Sequence, residues 1–154
     1  MFEQLPPHDI QAEESVIASL MIDSDAVLRI GAILQPSDFF REANAWTFDA
    51  CMALWQRDES INQVTVAHEL DRRGRLEDAG GLTFLSELIL NLPTPVGVEH
   101  YAQIVKRDSV YRQMISSAMT IAQIAYQGGA DLDGALASRA ASSAPSRTAT
   151  SRSS

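Results

Sequence analysis

The sequence predicts an all-α protein, and three observations support this. Apolar residues recur at spacings of three and four residues through most of the chain, as they do along one face of a helix. No segment alternates apolar and polar residues as a half-buried strand does. Most prolines and glycines fall between the apolar stretches, which divides the chain into separate helices. We expect a compact multi-helix head domain, followed by a long helix that begins an incomplete helical hairpin.

Five helices are expected in the head. Asp9 is a candidate N-cap for the first, and Asn62 or Thr65 for the fourth, because their side chains can accept hydrogen bonds from the free N–H groups of a helix N-terminus. Gly74 is a natural stop after the fourth helix. The approximate bounds are residues 10–22, 27–34, 42–56, 62–73 and 82–92.

One long helix is expected after the head, because the chain has no proline or glycine from Val98 to Tyr126. Such a helix is about 40 Å long, which is longer than a small head domain needs. Apolar residues recur along it in the alternating pattern of a coiled-coil seam, interrupted by Arg107. An apolar stripe that extends past the head indicates an interface. We therefore expect self-association through Ile104, Tyr111, Met114, Ile115, Ala118, Ile121 and Ala125.

The composition changes after the long helix. Residues 127–134 read as a sharp turn, after which Asp131 or Asp133 could cap a short returning helix. Ala137–Ser154 is rich in Ser, Ala and Arg, with no large apolar residue, and is expected to be disordered. The expected domains are thus a head at 1–97, a long helix with a partial hairpin at 98–136, and a disordered tail at 137–154.

The net charge and the cysteine content limit the classes of function that the chain can have. Twenty acidic residues against 12 basic ones give a net charge of −8, a poor surface for binding nucleic acid through its phosphates. Cys51 stands alone, so neither an internal disulfide nor a cysteine-based zinc site can form. The N-terminus does not resemble a signal peptide, and no apolar run is long enough to span a membrane. We expect a cytoplasmic protein without a membrane partner.

Gly80 and Gly81 raise the question of a phosphate site, because paired glycines before a helix can bind phosphate through backbone N–H groups. No P-loop pattern follows them, and the single lysine, Lys106, lies in the long helix. Glu77 and Asp78 would also repel a phosphate. The pair is therefore predicted to be a structural turn, and the chain is expected to hold no cofactor.

Neither the histidines nor the acidic pairs form a recognisable catalytic or metal site. The three histidines are scattered without metal-ligand spacing. Glu13–Glu14 and the Asp23/Asp25 pair are explained by helix N-termini and solvated faces more simply than by acid–base catalysis. We therefore predict no catalytic and no metal-binding residues.

An alternative interpretation is a small acidic DNA-binding or regulatory protein with a helix-turn-helix. In this view Arg72, Arg73 and Arg75 would face phosphates. Four acidic residues surround these three arginines, at Glu69, Asp71, Glu77 and Asp78. Their negative charge weakens the electrostatic argument for phosphate binding. A steep salt dependence of DNA binding would separate this function from protein–protein assembly.

Four segments, in this order, closely resemble the N-terminal domain of the bacterial replicative DNA helicase family, DnaB. They are "LPPHDIQAEESVIASLM" (residues 5–21), "LQPSDFF" (34–40), "VTVAHELDRRGRLEDAGGLTFLSEL" (64–88) and "VEHYAQIVKRDSVYRQMI" (98–115). The resemblance implies a helical head and hairpin that assemble into a collar as a trimer of dimers. It implies three partners: other copies of the chain, the full-length helicase and primase. It places the P-loop motor, with its ATP and Mg²⁺, in a separate C-terminal domain, so no enzyme activity is expected here.

Some positions depart from the family pattern. Asn44 stands where a histidine is common, Ala18 replaces a glycine, and Gly97 stands where an asparagine usually caps the long helix. The segment 137–154 replaces the amphipathic helix and linker that the family would continue. We therefore expect a truncated or frame-shifted gene, or the end of a fragment, and an incomplete return of the hairpin.

Overall fold

The computed structural model describes residues 4–92 and 97–143, and within these ranges its regular secondary structure is entirely helical. The predicted all-α fold is therefore confirmed. Two short 3₁₀ turns occur at Ser24–Ala26 and Pro36–Asp38. The α-helices are α1 (Ile10–Ile22), α2 (Val27–Ile30), α3 (Glu42–Gln56), α4 (Gln63–Arg72), α5 (Leu76–Ala79), α6 (Gly81–Leu90), α7 (Val98–Gln127) and α8 (Leu132–Ser143).

Local capping signals set the starts of α1 and α4. The Asp9 side chain accepts a hydrogen bond from the Ala12 backbone N–H at 2.9 Å. Asn62 accepts from the N–H groups of Val64 and Thr65, and the Thr65 hydroxyl accepts from the Asn62 N–H in return. These side chains satisfy N–H groups that have no partner within the helix. Both starts were expected from the sequence.

The first compact unit comprises residues 8–109, and α1 lies in its core. This helix packs against α3 and α6. Its buried face consists of Val16, Ile17, Ala18 and Leu20, all without exposed surface. Phe48 of α3 and Leu85 of α6 are buried just as completely. Ala102 and Val105 of α7 belong to the same core, so the head unit extends past the expected boundary at residue 97.

Glu13 has a role that the sequence did not reveal. Its carboxylate is buried and lies at the N-terminus of α3, where it accepts hydrogen bonds from the N–H groups of Phe40 at 2.6 Å and Arg41 at 3.3 Å. The Asn44 side-chain amide donates to the same carboxylate at 3.0 Å. Because Arg41, the N-cap of α3, makes no capping hydrogen bond of its own, a carboxylate of α1 caps this helix. Glu13 lies in the first turn of α1, as a helix N-terminal position predicts, but it is buried and not on a solvated face.

Glu69 of α4 is a second buried carboxylate, and three arginines surround it. Arg72, Arg73 and Arg57 each place a guanidinium nitrogen 2.7 to 2.8 Å from its oxygens. Their hydrogen bonds, that of Arg72 first, lower the pKa of Glu69 to about 2 against the opposing effect of burial. The cluster joins the end of α3 to α4, because Arg57 follows Gln56 directly.

Gly80 and Gly81 lie at the junction of α5 and α6. The sequence predicts a plain connection before α6, whereas residues 76–79 form the single helical turn α5. Both glycines have positive φ angles, +120° and +70°, which residues with a Cβ adopt at a cost. A Cβ on Gly80 would also lie 2.8 Å from the Cβ of Phe84. The two positions therefore require glycine for backbone reasons.

The second compact unit contains residues 110–143 and 4–7 among those described. Within it, α7 ends at Gln127, and Gly128 and Gly129 follow with φ angles of +61° and +107°. Asp131 then caps α8 by accepting a hydrogen bond from the Gly134 N–H at 2.9 Å. A turn and a capped returning helix are what the sequence predicts here.

The returning helix is longer than the sequence suggests. Residues 137–143 belong to α8, although the sequence predicts disorder from Ala137 onward. The difference has a local cause, since alanine has the highest helix propensity and the segment follows a capped N-terminus. The rest of the expected disordered tail, 144–154, lies outside the described residues.

We predict that Gly81→Val destabilises the head unit. A β-branched residue tolerates a φ of +70° badly, and the expected loss is about 1–3 kcal/mol in the free energy of unfolding. Chemical denaturation followed by circular dichroism measures this loss. Gly81→Asn is the control, because asparagine adopts positive φ more readily, and it should lose clearly less. Equal midpoints for the parent and the valine variant would contradict this account of the turn.

We also predict that Glu69 makes folding sensitive to acid. Its folded pKa of about 2 lies below the ordinary glutamate value of 4.5, so its contribution is fully present above pH 4.5. That contribution is lost as the pH falls from about 4.5 toward 2, because the unfolded chain takes up the proton first. Glu69→Gln should be less stable at pH 7 and should lose less stability across this interval. Parallel curves of unfolding free energy against pH for the two proteins would disprove the prediction.

Candidate functional site

The first half of α7 is fixed to the head by a buried carboxylate. Asp38 has no exposed surface, and its Oδ1 accepts a hydrogen bond from the Ser109 hydroxyl at 2.7 Å. The Lys106 ammonium lies 3.4 Å from the same oxygen, and the Gln35 N–H donates to Oδ2 at 2.9 Å. Two residues one turn apart on α7 are thereby held against the Pro36–Asp38 turn, next to the point where α7 passes into the second unit.

The residues predicted for self-association divide into two groups. Ile104 is half-buried and packs against the head core, so it is not part of a free stripe. Ile121 is half-buried within the second unit. Tyr111, Met114, Ile115, Ala118 and Ala125 are exposed. The exposed group therefore begins at Tyr111, one residue past the boundary between the units.

An apolar groove runs along the second half of α7. Its volume is about 1110 Å³, and all of its described lining residues belong to the second unit. Most of the lining surface is apolar. Met119 is 59 % exposed and Tyr126 is 92 % exposed, unusually high values for large apolar side chains. Its lining residues include Pro6, Ile115, Ala118, Met119, Ala122 and Tyr126.

The groove is rotated around the helix relative to the predicted seam. Ile115 and Ala118 belong to both, whereas Met119 and Tyr126 were not among the predicted residues. A signal for them was present, since Ile115, Met119, Ala122 and Tyr126 follow one another at steps of four, three and four. The alternating spacing of the seam favoured the neighbouring stripe, and sequence periodicity does not show which of two adjacent apolar stripes is covered.

Elsewhere in the described residues, the titratable side chains pack against neighbouring groups of the fold. His8 stacks on Phe40 with ring centroids 4.3 Å apart, and His100 meets Tyr101 edge to face. Burial raises the pKa of the Cys51 thiol to about 12, which keeps it protonated and unreactive. Across residues 4–92 and 97–143, no three His, Cys, Asp or Glu residues are grouped so that they could hold a metal ion.

The arginines of the helix-turn-helix alternative are engaged within the head. Arg72 and Arg73 pair with Glu69, and Arg73 also pairs with Asp49 at 2.9 Å. The Arg75 guanidinium lies 4.3 Å above the ring of Trp46. In these contacts the three arginine side chains interact with other groups of the protein, so the DNA-binding alternative is not favoured.

No helix in the described ranges combines the length and the apolar character needed to cross a bilayer. The longest, α7, carries charged and polar side chains along its length.

Comparisons with known proteins agree with the resemblance noted in the sequence. The family model described as "DnaB-like helicase N terminal domain" matches residues 5–107. Replicative DNA helicase DnaB of Geobacillus stearothermophilus is 39 % identical over 131 residues, which is 85 % of this chain and 29 % of that protein. Replicative DNA helicase DnaB of Mycobacterium leprae is 37 % identical over 133 residues, covering 85 % of this chain and 22 % of that protein. The chain thus spans less than a third of the length of these relatives.

Solved structures of similar chains share the fold. The N-terminal domain of DnaB helicase from Mycobacterium tuberculosis is 36 % identical with a TM-score of 0.85, over 90 % of this chain and 97 % of that one. The N-terminal domain of DnaB helicase from Helicobacter pylori, described with its interactions with primase, is 20 % identical with a TM-score of 0.67 and covers 75 % of this chain and 90 % of that one. At that identity the likeness concerns the fold alone. With the family model covering most of the head and these relatives matching beyond it, the chain belongs to the family of DnaB-like helicase N-terminal domains.

Proposed function

We propose that this chain is an assembly and docking domain of a DnaB-type replicative helicase and acts by binding. The observation that supports this most directly is the exposed apolar face on the second half of α7. Exposed apolar surface of this size on a water-soluble unit typically marks a protein interface.

Self-association through this face is the first part of the proposal. Ala118 and Ala122 are small, so a partner helix can approach α7 closely there, while Met119 and Tyr126 supply large apolar area on either side. Residues 110–127 contain Arg112 and no acidic residue. Two copies can therefore meet along this stretch without carboxylate repulsion, although the whole chain is acidic.

Docking to other replication proteins is the second part. The similar full-length proteins are named replicative DNA helicases, and the Helicobacter pylori domain is described with its interactions with primase. We propose that this chain acts in DNA replication in the cytoplasm, with full-length helicase and primase as partners and no direct nucleic-acid site of its own.

Catalysis is not part of the proposed function. In the family that the chain resembles, ATP and Mg²⁺ are used by a separate motor domain. The paired glycines of this chain precede α6 without a P-loop lysine, and acidic residues stand just before them. We propose that the chain itself binds no cofactor and that its contribution to unwinding is the positioning of subunits.

Ala118→Asp is expected to weaken self-association through α7. An unpaired carboxylate in a closely packed helix contact costs several kcal/mol if it stays buried and charged, so the dissociation constant should rise at least 10-fold. Sedimentation equilibrium over a concentration series measures this. Ser138→Asp is the matched control, since it adds the same charge at an exposed position of α8 outside the groove.

Both variants should keep the helical circular dichroism of the parent, because neither residue lies in the head core. A parent chain that stays monomeric at high micromolar concentration would refute self-association for this chain. Equal weakening by both variants would show that added charge, and not the groove, is responsible.

The isolated chain is expected not to bind ATP. Gly80 and Gly81 have φ angles suited to a turn, and Glu77 and Asp78 place negative charge beside it, which opposes a triphosphate. Isothermal titration with ATP and Mg²⁺ should give only heats of dilution. A saturable site of micromolar affinity would overturn the prediction.

A further inference from the structure

Three exposed aliphatic side chains lie around one contact between α4 and α6 of the head. The Gln63 side-chain amide donates a hydrogen bond to the Ser86 hydroxyl at 2.6 Å, which joins the start of α4 to the middle of α6. Val64, the next residue of α4, is 62 % exposed. Leu82 and Leu90 are 59 % and 81 % exposed, and each stands four residues from Ser86, on the same side of α6. We call the surface formed by Val64, Leu82 and Leu90 the α4–α6 face.

This part of the head carries unpaired negative charge. Residues 58–71 and 76–92 contain acidic residues but neither lysine nor arginine. Two of the carboxylates, Glu59 and Glu69, pair with arginines. The others are exposed and form no ion pair with any residue in the described ranges; they are Asp58, Asp71, Glu77, Asp78 and Glu87. The α4–α6 face is therefore apolar at its centre and acidic around it.

The positive charges of the head are already engaged. Between residues 8 and 109, the single lysine and every arginine but one form an ion pair with a carboxylate of the head. The exception, Arg75, lies over the ring of Trp46. Charges of opposite sign across an interface speed the encounter of two proteins and fix their register. A partner of the head is therefore expected to be basic.

We propose that the α4–α6 face binds a basic amphipathic helix of another protein. The apolar side of that helix covers Val64, Leu82 and Leu90. Its lysine and arginine side chains lie beside Asp71 and Glu87. The inference goes beyond the proposed function, because this face belongs to the head and shares no residue with the groove on α7. Its test therefore does not depend on self-association.

The two carboxylates are placed to flank the apolar centre. Asp71 follows Val64 by seven residues, which is two turns along the same side of α4. Glu87 precedes Leu90 by three residues, so the two side chains are neighbours on the surface of α6. Each helix thus contributes both apolar area and negative charge. An apolar centre with a polar rim is the usual arrangement of a protein interface.

A helix is the form of partner segment that this face favours. The backbone groups of α4 and α6 are used within those helices, and the face offers no strand edge to pair with. A segment that buries itself here must therefore satisfy its own backbone N–H and C=O groups, as a helix does. Leu82 and Leu90 lie about 12 Å apart along α6, which matches about two turns of a partner helix. Such a partner presents apolar side chains at steps of three and four residues.

Titration of the isotopically labelled full chain, followed by nuclear magnetic resonance, tests the proposal. The probe is an acetylated and amidated peptide of leucine and lysine, with leucine at steps of three and four residues and lysine elsewhere. We expect saturable binding with the largest shift changes in α4 and α6, and weaker binding as salt screens the charges. A control peptide of the same composition, in which leucine and lysine alternate, lacks an apolar helical side and should bind much more weakly.

Variants of the face separate apolar contact from charge. Leu90→Ser should raise the dissociation constant of the peptide about tenfold, because a leucine loses its burial against the partner. Glu87→Lys should raise it about fivefold, since a surface attraction is replaced by repulsion. Leu132→Ser and Asp133→Lys are the matched controls, because they make the same changes at exposed positions of α8. Both controls should bind the peptide as the parent does.

Four results would overturn the proposal. They are no saturable binding at millimolar peptide, equal binding of the alternating peptide, equal weakening by the head variants and the α8 controls, and shift changes spread over the whole acidic surface. Changes in α4 and α6 that appear when the chain alone is concentrated would assign the face to a second copy, also against the proposal. Circular dichroism checks the fold of each variant, and Leu82→Ser replaces Leu90→Ser if the latter loses helix.

Discussion

The buried carboxylate of Asp38 is the contact on which the use of α7 depends. A carboxylate that is buried away from water must accept hydrogen bonds from protein donors, since leaving it unpaired costs several kcal/mol. Ser109, Lys106 and the Gln35 N–H supply them, and two of these groups belong to α7. The helix is thereby fixed in rotation and in register at the end of the head, so that Ala102 and Val105 enter the core.

Three of the acidic residues have a structural role. Glu13 caps α3, Glu69 holds three arginines around the end of α4, and Asp38 fixes α7. These carboxylates are buried and occupied by donors, which suits them to holding helices together and not to proton transfer with a substrate. The second half of α7 adds an exposed apolar groove to the surface.

The long helix α7 contributes to both compact units. The head fixes one half of α7, and the other half presents Ile115, Met119 and Tyr126 along a groove. Family membership adds that related domains occur at the start of much longer replicative helicases.

The sequence by itself determined the elements that depend on neighbours along the chain. Asp9 and Asn62 start α1 and α4 through hydrogen bonds within three residues, and the absence of proline and glycine made α7 one helix. Four family segments in register identified the fold. Tertiary structure alone decided that Glu13 accepts hydrogen bonds from backbone N–H groups 27 and 28 residues away, just before α3. It also decided that Met119 and Tyr126, and not Ile104 and Ile121, are open to solvent. The physical reason is that burial depends on what packs against each side of a helix, and spacing along one chain does not contain that information.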